Sequence, residues 1–395
     1  MFPFRQIMII TSGVLVTAAS CLASWTQFQG NAAHTGDVPG FIDPALISHR
    51  WSLNATDIAE NASFTPGLAS DDTQLFLTWR ANATFNAVSS VDLKTGVLGW
   101  EWRFTGKDGE TMSAPAYADG RVFVHRWGHS SSCGVDCHDK PRLFGIDAVN
   151  GVQLFDQTHA GQWFSGGRPT PEGDRVFVAG GYFGGLDAYN ASTGQIEWFA
   201  GMPQEYGWIP AADQDYVYVS FNDTLTVLDR AGGTVQTIGT LSGPSYSSST
   251  PVVAGQNEVY LPRHFRLTRI NALDGQIAWT YSNHTVGNDG NLGAAVHGEA
   301  VYANLSGFLH AIDRQTGELL WKWVPGSLLT SYVVSVDHYL IVGTDSTTYI
   351  IDTLLHDAVA SVPVGAVWLW WVRRCWFQGP IRCTPAWSRS PPPCW

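Results

Sequence analysis

The chain has 395 residues, of which 45% are hydrophobic and only 14% are charged, with 41 glycines and 18 tryptophans. A disordered chain shows the opposite balance, whereas many aromatic residues and glycines suit short strands joined by tight turns. The formal net charge of -12 argues against a nucleic-acid partner and against an anionic lipid surface, because both would repel the protein.

The first 23 residues have the pattern of a cleaved signal peptide. Arg5 supplies a positive charge, an apolar stretch runs from residue 7 to residue 19, and small residues follow it. This stretch is short for a membrane span, and no later segment has the character of a transmembrane helix. We therefore predict residues 1–23 as a signal peptide and a periplasmic or secreted mature protein. In the alternative, an acylated Cys21 makes the protein an outer-membrane lipoprotein, but an Ala stands where the lipobox favours Leu.

A motif recurs along the rest of the chain: a strand, a turn that begins with Asp or Asn and contains Gly, and usually a strand with Trp. The first polar residues of the seven copies are Asp92, Asp147, Asp187, Asp229, Asn271, Asp313 and Asp352. The intervals between them are 55, 40, 42, 42, 42 and 39 residues. In such a turn the Asp side chain bonds the local backbone and the Gly accepts a positive φ.

Each copy also contains upstream strand signals. Segments 121–124, 175–178, 216–219 and 300–303 alternate in the manner of strands, and a Pro-containing strand is predicted before several of the repeat's strands of this kind, at Pro115, Pro169, Pro210 and Pro251. Four short strands in about 42 residues is the size of one propeller blade. One blade cannot bury both of its faces, so neighbouring blades are expected to close a ring.

This repeat resembles the PQQ-type (quinoprotein) propeller repeat, and residues 25–36 resemble the start of bacterial PQQ-like propeller proteins. The resemblance covers roughly residues 24–364. It implies an all-β fold, an eight-bladed β-propeller of four-stranded antiparallel blades. Seven units run from about residue 63 to residue 363, and residues 47–53 look like an orphan outer strand that completes the last blade.

The tail, residues 365–395, departs from the repeat. It contains six Trp, five Pro and three Cys and no acidic residue, where three strands of the eighth blade belong. Our hypothesis is a frameshift in the gene or in its sequencing. A genuine tail of this composition would disrupt the last blade.

Quinoprotein dehydrogenases share the repeat but carry an adjacent Cys-Cys pair, a calcium site and a catalytic Asp. This sequence has no Cys-Cys dipeptide, no Asp-rich calcium loop and no hydrolase or zinc-protease motif. We therefore predict no catalytic residues and no cofactor, and we do not expect PQQ to bind.

An insertion of about 13 residues lies between His125 and Pro141, where the repeat interval is longest. In an oxidising compartment its two cysteines, Cys133 and Cys137, are predicted to form a local disulfide. In the alternative, these cysteines bind Zn²⁺ together with His129 and His138.

A second candidate site follows from the fold, because the inner strands of a propeller line a central channel. Alignment of the repeats places six residues near one level at the channel mouth: Ser113, Arg168, Trp208, Ser249, Asn291 and Ser331. Arg168 is the one cation of this set and could hold a carboxylate or another anion. In the alternative, these groups only satisfy backbone groups and channel water.

We predict a non-catalytic, exported propeller that acts as a protein-binding scaffold in the bacterial cell envelope. In size and repeat type the chain resembles the propeller lipoproteins of outer-membrane β-barrel assembly. The alternative is a propeller that binds a quinone or another small ligand, as an oxidoreductase-like protein or a sensor. Fold analogy supports both functions.

Overall fold

The computed structural model describes residues 7–11, 14–18, 24–81, 85–105, 112–126, 141–159, 167–181, 184–203, 208–221, 224–241, 250–255, 257–263, 265–283 and 293–363. Short strands dominate these segments, and their helical elements are one turn of α-helix, α1 (Ala55–Ile58), and 3-10 turns at Phe28–Gly30 and Pro44–Leu46. No described helix has the length and apolar character needed to cross a membrane.

The strands follow one another in chain order. Four precede the repeats: β1 (Ile7–Thr11), β2 (Val14–Ala18), β3 (Asp37–Val38) and β4 (Ser48–Ser52). The first blade contains β5 (Ala62–Ser70), β6 (Gln74–Ala81), β7 (Phe85–Asp92) and β8 (Leu98–Thr105). The second contains β9 (Ala116–Ala118), β10 (Arg121–Arg126), β11 (Arg142–Asp147) and β12 (Gln153–Thr158). The third contains β13 (Thr170–Glu172), β14 (Arg175–Ala179), β15 (Gly185–Asn190) and β16 (Ile196–Gly201).

The remaining blades repeat this order. The fourth contains β17 (Ala211–Ala212), β18 (Tyr216–Phe221), β19 (Thr224–Asp229) and β20 (Val235–Thr240). The fifth contains β21 (Val252–Gly255), β22 (Glu258–Arg263), β23 (Arg266–Ile270) and β24 (Ile277–Ser282). The sixth contains β25 (Ala294–His297), β26 (Ala300–Leu305), β27 (Phe308–Asp313) and β28 (Leu319–Trp323). The seventh contains β29 (Val334–Val336), β30 (Tyr339–Gly343), β31 (Thr348–Asp352) and β32 (Asp357–Val362).

Neighbouring strands within each blade pair antiparallel, and the first strands of successive blades contact one another from β5 through β29. The first strands therefore lie at the centre of the molecule and the fourth strands at its rim. This arrangement confirms the predicted all-β propeller of four-stranded antiparallel blades.

The second strand of each blade is buried on both faces. In β10 every residue after Arg121 is buried, and in β26 every residue is buried. The predicted strands at 121–124 and 300–303 are thus present, but their expected alternation of buried and exposed residues is not. Blades pack face to face, so a middle strand meets a neighbouring blade on either side.

Each turn between the third and fourth strands is held by its leading polar side chain. Oδ1 of Asp92 accepts from the backbone N–H groups of Lys94 and Thr95, and the Gly96 N–H donates to the Asp92 carbonyl at 2.8 Å. In the third blade Asn190 has this role, since its Oδ1 accepts from Ser192 and Thr193.

The assignment of Asp187 as the leading residue of the third turn was therefore wrong. Asp187 lies inside β15, opposite Phe199, and its side chain is buried. The Leu-Asp dipeptide at residues 186–187 imitates the start of the repeated turn, but the strand continues for three more residues and ends at Asn190.

Rim tryptophans join several blades to the next blade along the chain. The Trp100 ring of β8 lies over the turn of the second blade, where its Nε1 donates to the Ala148 carbonyl at 2.8 Å. A Cβ on Gly151 would come within 2.6 Å of that ring. Equivalent bonds join Trp198 to Arg230 at 3.1 Å and Trp279 to Arg314 at 3.0 Å.

β4 makes the same contact with the first blade, because Nε1 of Trp51 donates to the Leu93 carbonyl at 3.2 Å. It therefore lies where the outer strand of an eighth blade belongs, as predicted for residues 47–53. β4 pairs with β2, and β2 with β1, so this sheet has three described strands. The tail at 365–395 lies outside the described residues, and the signal peptide at 1–23 stays a prediction.

Two glycines of the second blade test the rim contact. Gly151 and Gly120 have nearly the same positive φ, +73 and +75, but a Cβ meets Trp100 at the first position and nothing within 4 Å at the second. Gly120→Ala is expected to cost about 1–2 kcal/mol of backbone strain. Gly151→Ala is expected to cost this and a further 1–3 kcal/mol, roughly, from the clash with the ring.

Urea unfolding of the two variants and the wild type gives the two free energies of unfolding. Because the backbone strain is common to both variants, the difference between their free energies of unfolding measures how closely the Trp100 ring packs on the turn. Equal destabilisation would mean that the Trp100 contact does not join the first and second blades.

Candidate functional site

Residues 25–36, here called the axial segment, cross the centre of the propeller and bond in turn to each of the seven four-stranded blades. Backbone N–H groups of six blades donate to its carbonyls, and the third blade accepts from a side-chain amide of the segment. In blade order the bonds are Ser70 to Trp25 at 2.7 Å, Tyr117 to Thr26 at 2.6 Å, Gln27 to Pro171 at 2.9 Å, Ala212 to Ala32 at 2.8 Å, Val253 to Ala33 at 2.8 Å, Val296 to Thr35 at 2.9 Å and Ser335 to Gly36 at 2.8 Å.

The axial segment thereby gives partners to main-chain groups at the central edge of each blade. Such edge groups would otherwise need water, because the first strand of a blade has a strand neighbour on one side only. The segment then continues into β3, which pairs parallel with β29 of the seventh blade.

Aromatic rings fill the centre beside the axial segment. Phe28 contacts the rings of His34 and Tyr332 edge to face, with both centroid distances at 5.0 Å. Phe28 also forms a small buried cluster with Ile209 and Tyr332. The described centre is therefore a packed core formed by three distant parts of the chain.

His34 is a neutral base within this core. Its Nδ1 lies 3.0 Å from the Pro251 carbonyl, so Nδ1 carries the proton and donates it. Burial lowers the pKa of His34 to about 3, with a smaller contribution in the same direction from the Arg168 charge. A charged imidazole at this position would be poorly solvated.

Arg168 is a half-buried cation at the centre. Its Nη2 donates to the Pro66 carbonyl at 2.8 Å, and its guanidinium lies 5.3 Å from the centre of the Phe28 ring. Burial lowers the pKa of the guanidinium, and Tyr332 acts in the opposite direction. Gly67 makes room for it, because a Cβ there would lie 2.5 Å from Nη1. Within the described residues no carboxylate pairs with Arg168.

Four of the six predicted channel residues are described, and all four lie just before the first strand of a blade. Ser113 and Ser331 make the same contacts: each hydroxyl donates to the next residue's carbonyl and accepts from a backbone N–H, that of His125 or Gly343. Trp208 is buried against the axial segment near Ala32.

Two of these four side chains thus satisfy local backbone, which is the alternative that the sequence left open. Ser249 and Asn291 lie outside the described residues. A ligand at this level of the channel stays a prediction, with Arg168 as its charged group.

A buried cluster that the sequence did not predict joins the second and third blades. Nε2 of His125 lies 2.8 Å from Nε2 of His159, and Nδ1 of His159 lies 3.3 Å from a carboxylate oxygen of Asp187. All three side chains are almost fully buried. The sequence marks His125 only as the start of the insertion and predicts Asp187 in a turn.

The other residues of the insertion, His129, Cys133, Cys137 and His138, lie outside the described residues, so their disulfide and their zinc-site alternative both stay predictions. Within the part of the chain that the structure describes, no group of three or more His, Cys, Asp or Glu side chains could hold a metal ion.

The chain belongs to the PQQ-like repeat family described as outer membrane protein assembly factor BamB, whose family profile matches residues 35–198 and 184–326. The tetrathionate hydrolase of Acidithiobacillus ferrooxidans is 24% identical over 253 residues, which are 61% of this chain and 41% of that protein. The chain thus spans about two fifths of the length of this curated relative.

Two solved structures have the same fold. A europium-containing methanol dehydrogenase superposes with a TM-score of 0.63 at 13% identity, over 87% of this chain and 86% of the other. BamB from Moraxella catarrhalis superposes with a TM-score of 0.54 at 17% identity, over 75% and 83% of the two chains. At these identities the likeness establishes the propeller fold alone.

That PQQ does not bind stays a prediction, and the packing of Phe28 is the observation that bears on it. A planar tricyclic quinone needs an open slot between flat groups, whereas Phe28 packs edge to face on His34 and Tyr332 at 5.0 Å. The sequence also lacks the Cys-Cys pair against which the quinone stacks in the dehydrogenases.

Substitution of Phe28 tests the packing of the axial segment. Phe28 is 5% exposed and Phe41 is 53% exposed, so the two positions form a matched pair outside the blades. Phe28→Ala is expected to lower the free energy of unfolding by about 3–5 kcal/mol through lost contacts and a residual cavity. Phe41→Ala is expected to change it by less than about 0.5 kcal/mol. Denaturant unfolding of both variants checks this, and a small effect at Phe28 would contradict the packed centre.

His34 predicts a pH dependence of stability. Its pKa is about 3 in the folded chain and about 6.5 when unfolded, so below pH 6.5 the unfolded state binds more protons. The contribution of His34 to the free energy of unfolding is therefore fully present above pH 6.5. As the pH is lowered below 6.5, this contribution decreases by up to about 1.4 kcal/mol per pH unit. His34→Asn removes this titration, so the stability advantage of the wild type is expected to shrink steadily from pH 6 to pH 4. Parallel stability curves would contradict the assignment.

Proposed function

We propose that this protein is a non-catalytic scaffold that binds a protein partner in the bacterial cell envelope. The observation that carries the proposal is the occupied axis: residues 25–36 bond to all seven four-stranded blades where other propellers offer a channel. A propeller whose described centre is filled by its own chain has its rim and loop faces left for binding. Membership of a family described by an outer-membrane assembly factor supports the same function.

The rim offers strand edges to a partner. The fourth strand of each of the seven blades has a strand neighbour on one side only, and exposed apolar side chains lie on or beside these strands. They include Leu98, Leu154, Phe199, Ile238, Ile277, Leu320 and Val359. Unpaired edges with apolar side chains are suited to an extended peptide that adds as a further strand. We infer that the partner contributes such a segment.

Export is part of this proposal. Residues 1–23 carry the signal-peptide pattern, and cleavage there would release the chain into the periplasm or beyond it. Acylation of Cys21 is the alternative, with an outer-membrane lipoprotein as its product. The N-terminus of protein recovered from the envelope fraction distinguishes the two.

A pull-down from envelope extract tests the scaffold. The bait is the full chain, with its C-terminal reading frame first verified at the DNA level, and the expected result is one stable partner recovered in proportion to the bait. Ile238 is 60% exposed on β20, and Ile238→Lys is expected to reduce partner recovery at least tenfold if that edge is used. Thr240→Lys, on the same strand, is the control for added charge alone.

Recovery of no partner, together with one equivalent of a small molecule in the purified protein, would favour a ligand-binding propeller instead. One observation supports this second function. Beside the Arg168 charge, the buried acceptors Gln27 Oε1, Gln29 Oε1 and His34 Nε2 have no hydrogen-bond partner in the described structure. A small polar ligand with both donors and an anionic group could satisfy them.

A further inference from the structure

We propose that Arg168, His34 and Gln29 form a binding site for a small hydroxycarboxylate at the centre of the propeller. The Arg168 guanidinium lies 5.3 Å from the centre of the Phe28 ring, and the His34 ring lies 5.0 Å from it. The site rests on the ligand-binding alternative given above and names its class of ligand. Binding of a protein partner at the rim does not depend on it.

Gln29 joins this group through Tyr332. A Cβ on Gly293 would lie 2.0 Å from Gln29 Nε2 and 3.2 Å from Cδ1 of Tyr332, so the amide and the ring lie beside the same point. The Tyr332 ring in turn contacts Phe28 edge to face at 5.0 Å. The cation and the amide, from distant parts of the chain, and the imidazole are therefore grouped around one phenylalanine.

Arg168 supplies a positive charge that lacks a counter-ion. Its Nη2 donates to the Pro66 carbonyl at 2.8 Å, and within the described residues no carboxylate pairs with the guanidinium. Charged groups at the centre of a protein are normally paired, because withdrawing them from water is costly. Arg168 is half-buried, so a solute can reach it. A guanidinium has five N–H donors in a planar fork that matches a carboxylate.

His34 and Gln29 each supply a buried acceptor. His34 Nδ1 donates to the Pro251 carbonyl at 3.0 Å, and Gln29 Nε2 donates to the Ala294 carbonyl at 3.3 Å. The opposite atoms, His34 Nε2 and Gln29 Oε1, have no hydrogen-bond partner in the described structure. Burial lowers the pKa of His34 to about 3, so its Nε2 carries a lone pair at neutral pH. Because buried acceptors without a donor are costly, a ligand that donates to them gains affinity.

Charge decides which donor the ligand carries. The Arg168 charge already disfavours a positive charge on His34, so the two groups lie within electrostatic reach of each other. An ammonium group at the acceptors would place a second cation there, whereas a hydroxyl donates without adding charge. One carboxylate neutralises Arg168, and a second carboxylate would face lone pairs. A small hydroxycarboxylate meets all of these conditions.

The backbone at both acceptors has a conformation that is uncommon outside glycine. Gln29 has a φ of 53° and His34 a φ of 58°. Residues in this left-handed region occur preferentially at binding and active sites, where the surrounding structure holds them. Here they are the two residues of the axial segment whose free acceptors lie beside Phe28 and its neighbours.

The test is calorimetric titration of the full chain with glycolate as the probe. We expect saturable binding of one equivalent. Acetate lacks the hydroxyl and glycine carries an ammonium group in its place, so each is expected to bind at least tenfold more weakly.

Arg168→Gln is expected to weaken glycolate binding at least tenfold. Arg103→Gln is the matched control, because Arg103 also lies over a phenylalanine ring, that of Phe85 at 4.6 Å, but on the rim strand β8. Its loss removes the same charge from the chain and is expected to leave glycolate binding unchanged.

Absence of saturable glycolate binding overturns the proposal, while recovery of a partner in the pull-down would still support the scaffold. Equal affinity for acetate or glycine overturns the assignment of the two acceptors. If Arg168→Gln does not fold, ¹⁵N-histidine spectra of the wild type replace it. Glycolate must then shift the Nε2 resonance that His34→Asn removes, and an unchanged resonance decides against the site.

Discussion

The bonding of the axial segment to all seven four-stranded blades is the constraint on which the rest of the structure depends. The blades are separate sheets, and the first strands of neighbouring blades contact one another at the centre. Residues 25–36 supply each blade with a hydrogen bond at that point, so one short stretch of chain sets the position of every sheet relative to its neighbours. A ring held at its axis in this way can leave its rim free for other contacts.

At the rim, tryptophan rings hold neighbouring blades together. Each ring combines a large apolar surface with one N–H donor, and in this fold the surface packs on a turn glycine while the N–H reaches the carbonyl just after the turn's leading residue, as Trp100 does with Ala148. The same contact by Trp51 shows that β4 belongs to the ring, although it precedes the first blade in sequence. Packing at the rim and hydrogen bonds at the axis together define the propeller.

The same architecture explains which features of the site could be predicted. Alignment of the repeats predicts Arg168 at the channel, because each blade puts equivalent residues at one level. Its actual neighbours, Phe28 and Pro66, come from the axial segment and the first blade, at sequence distances that no local pattern reveals. Asp187 likewise meets the two histidines of the second blade, His125 and His159, only because the second and third blades pack face to face.

The sequence by itself determined the repeat, most of its strands and turns, the number of four-stranded units and the outer position of the strand at residues 47–53, because these follow from local spacing and from turn chemistry that each copy repeats. It could not separate a turn aspartate from a strand aspartate at Asp187, since both follow an apolar residue near a glycine. Only the tertiary structure decided that the axis is filled, that Arg168 lies half-buried over the Phe28 ring, and that two histidines of the second blade meet beside Asp187 of the third. Those outcomes depend on close packing between segments far apart in the chain, and packing of that kind leaves no periodic signal.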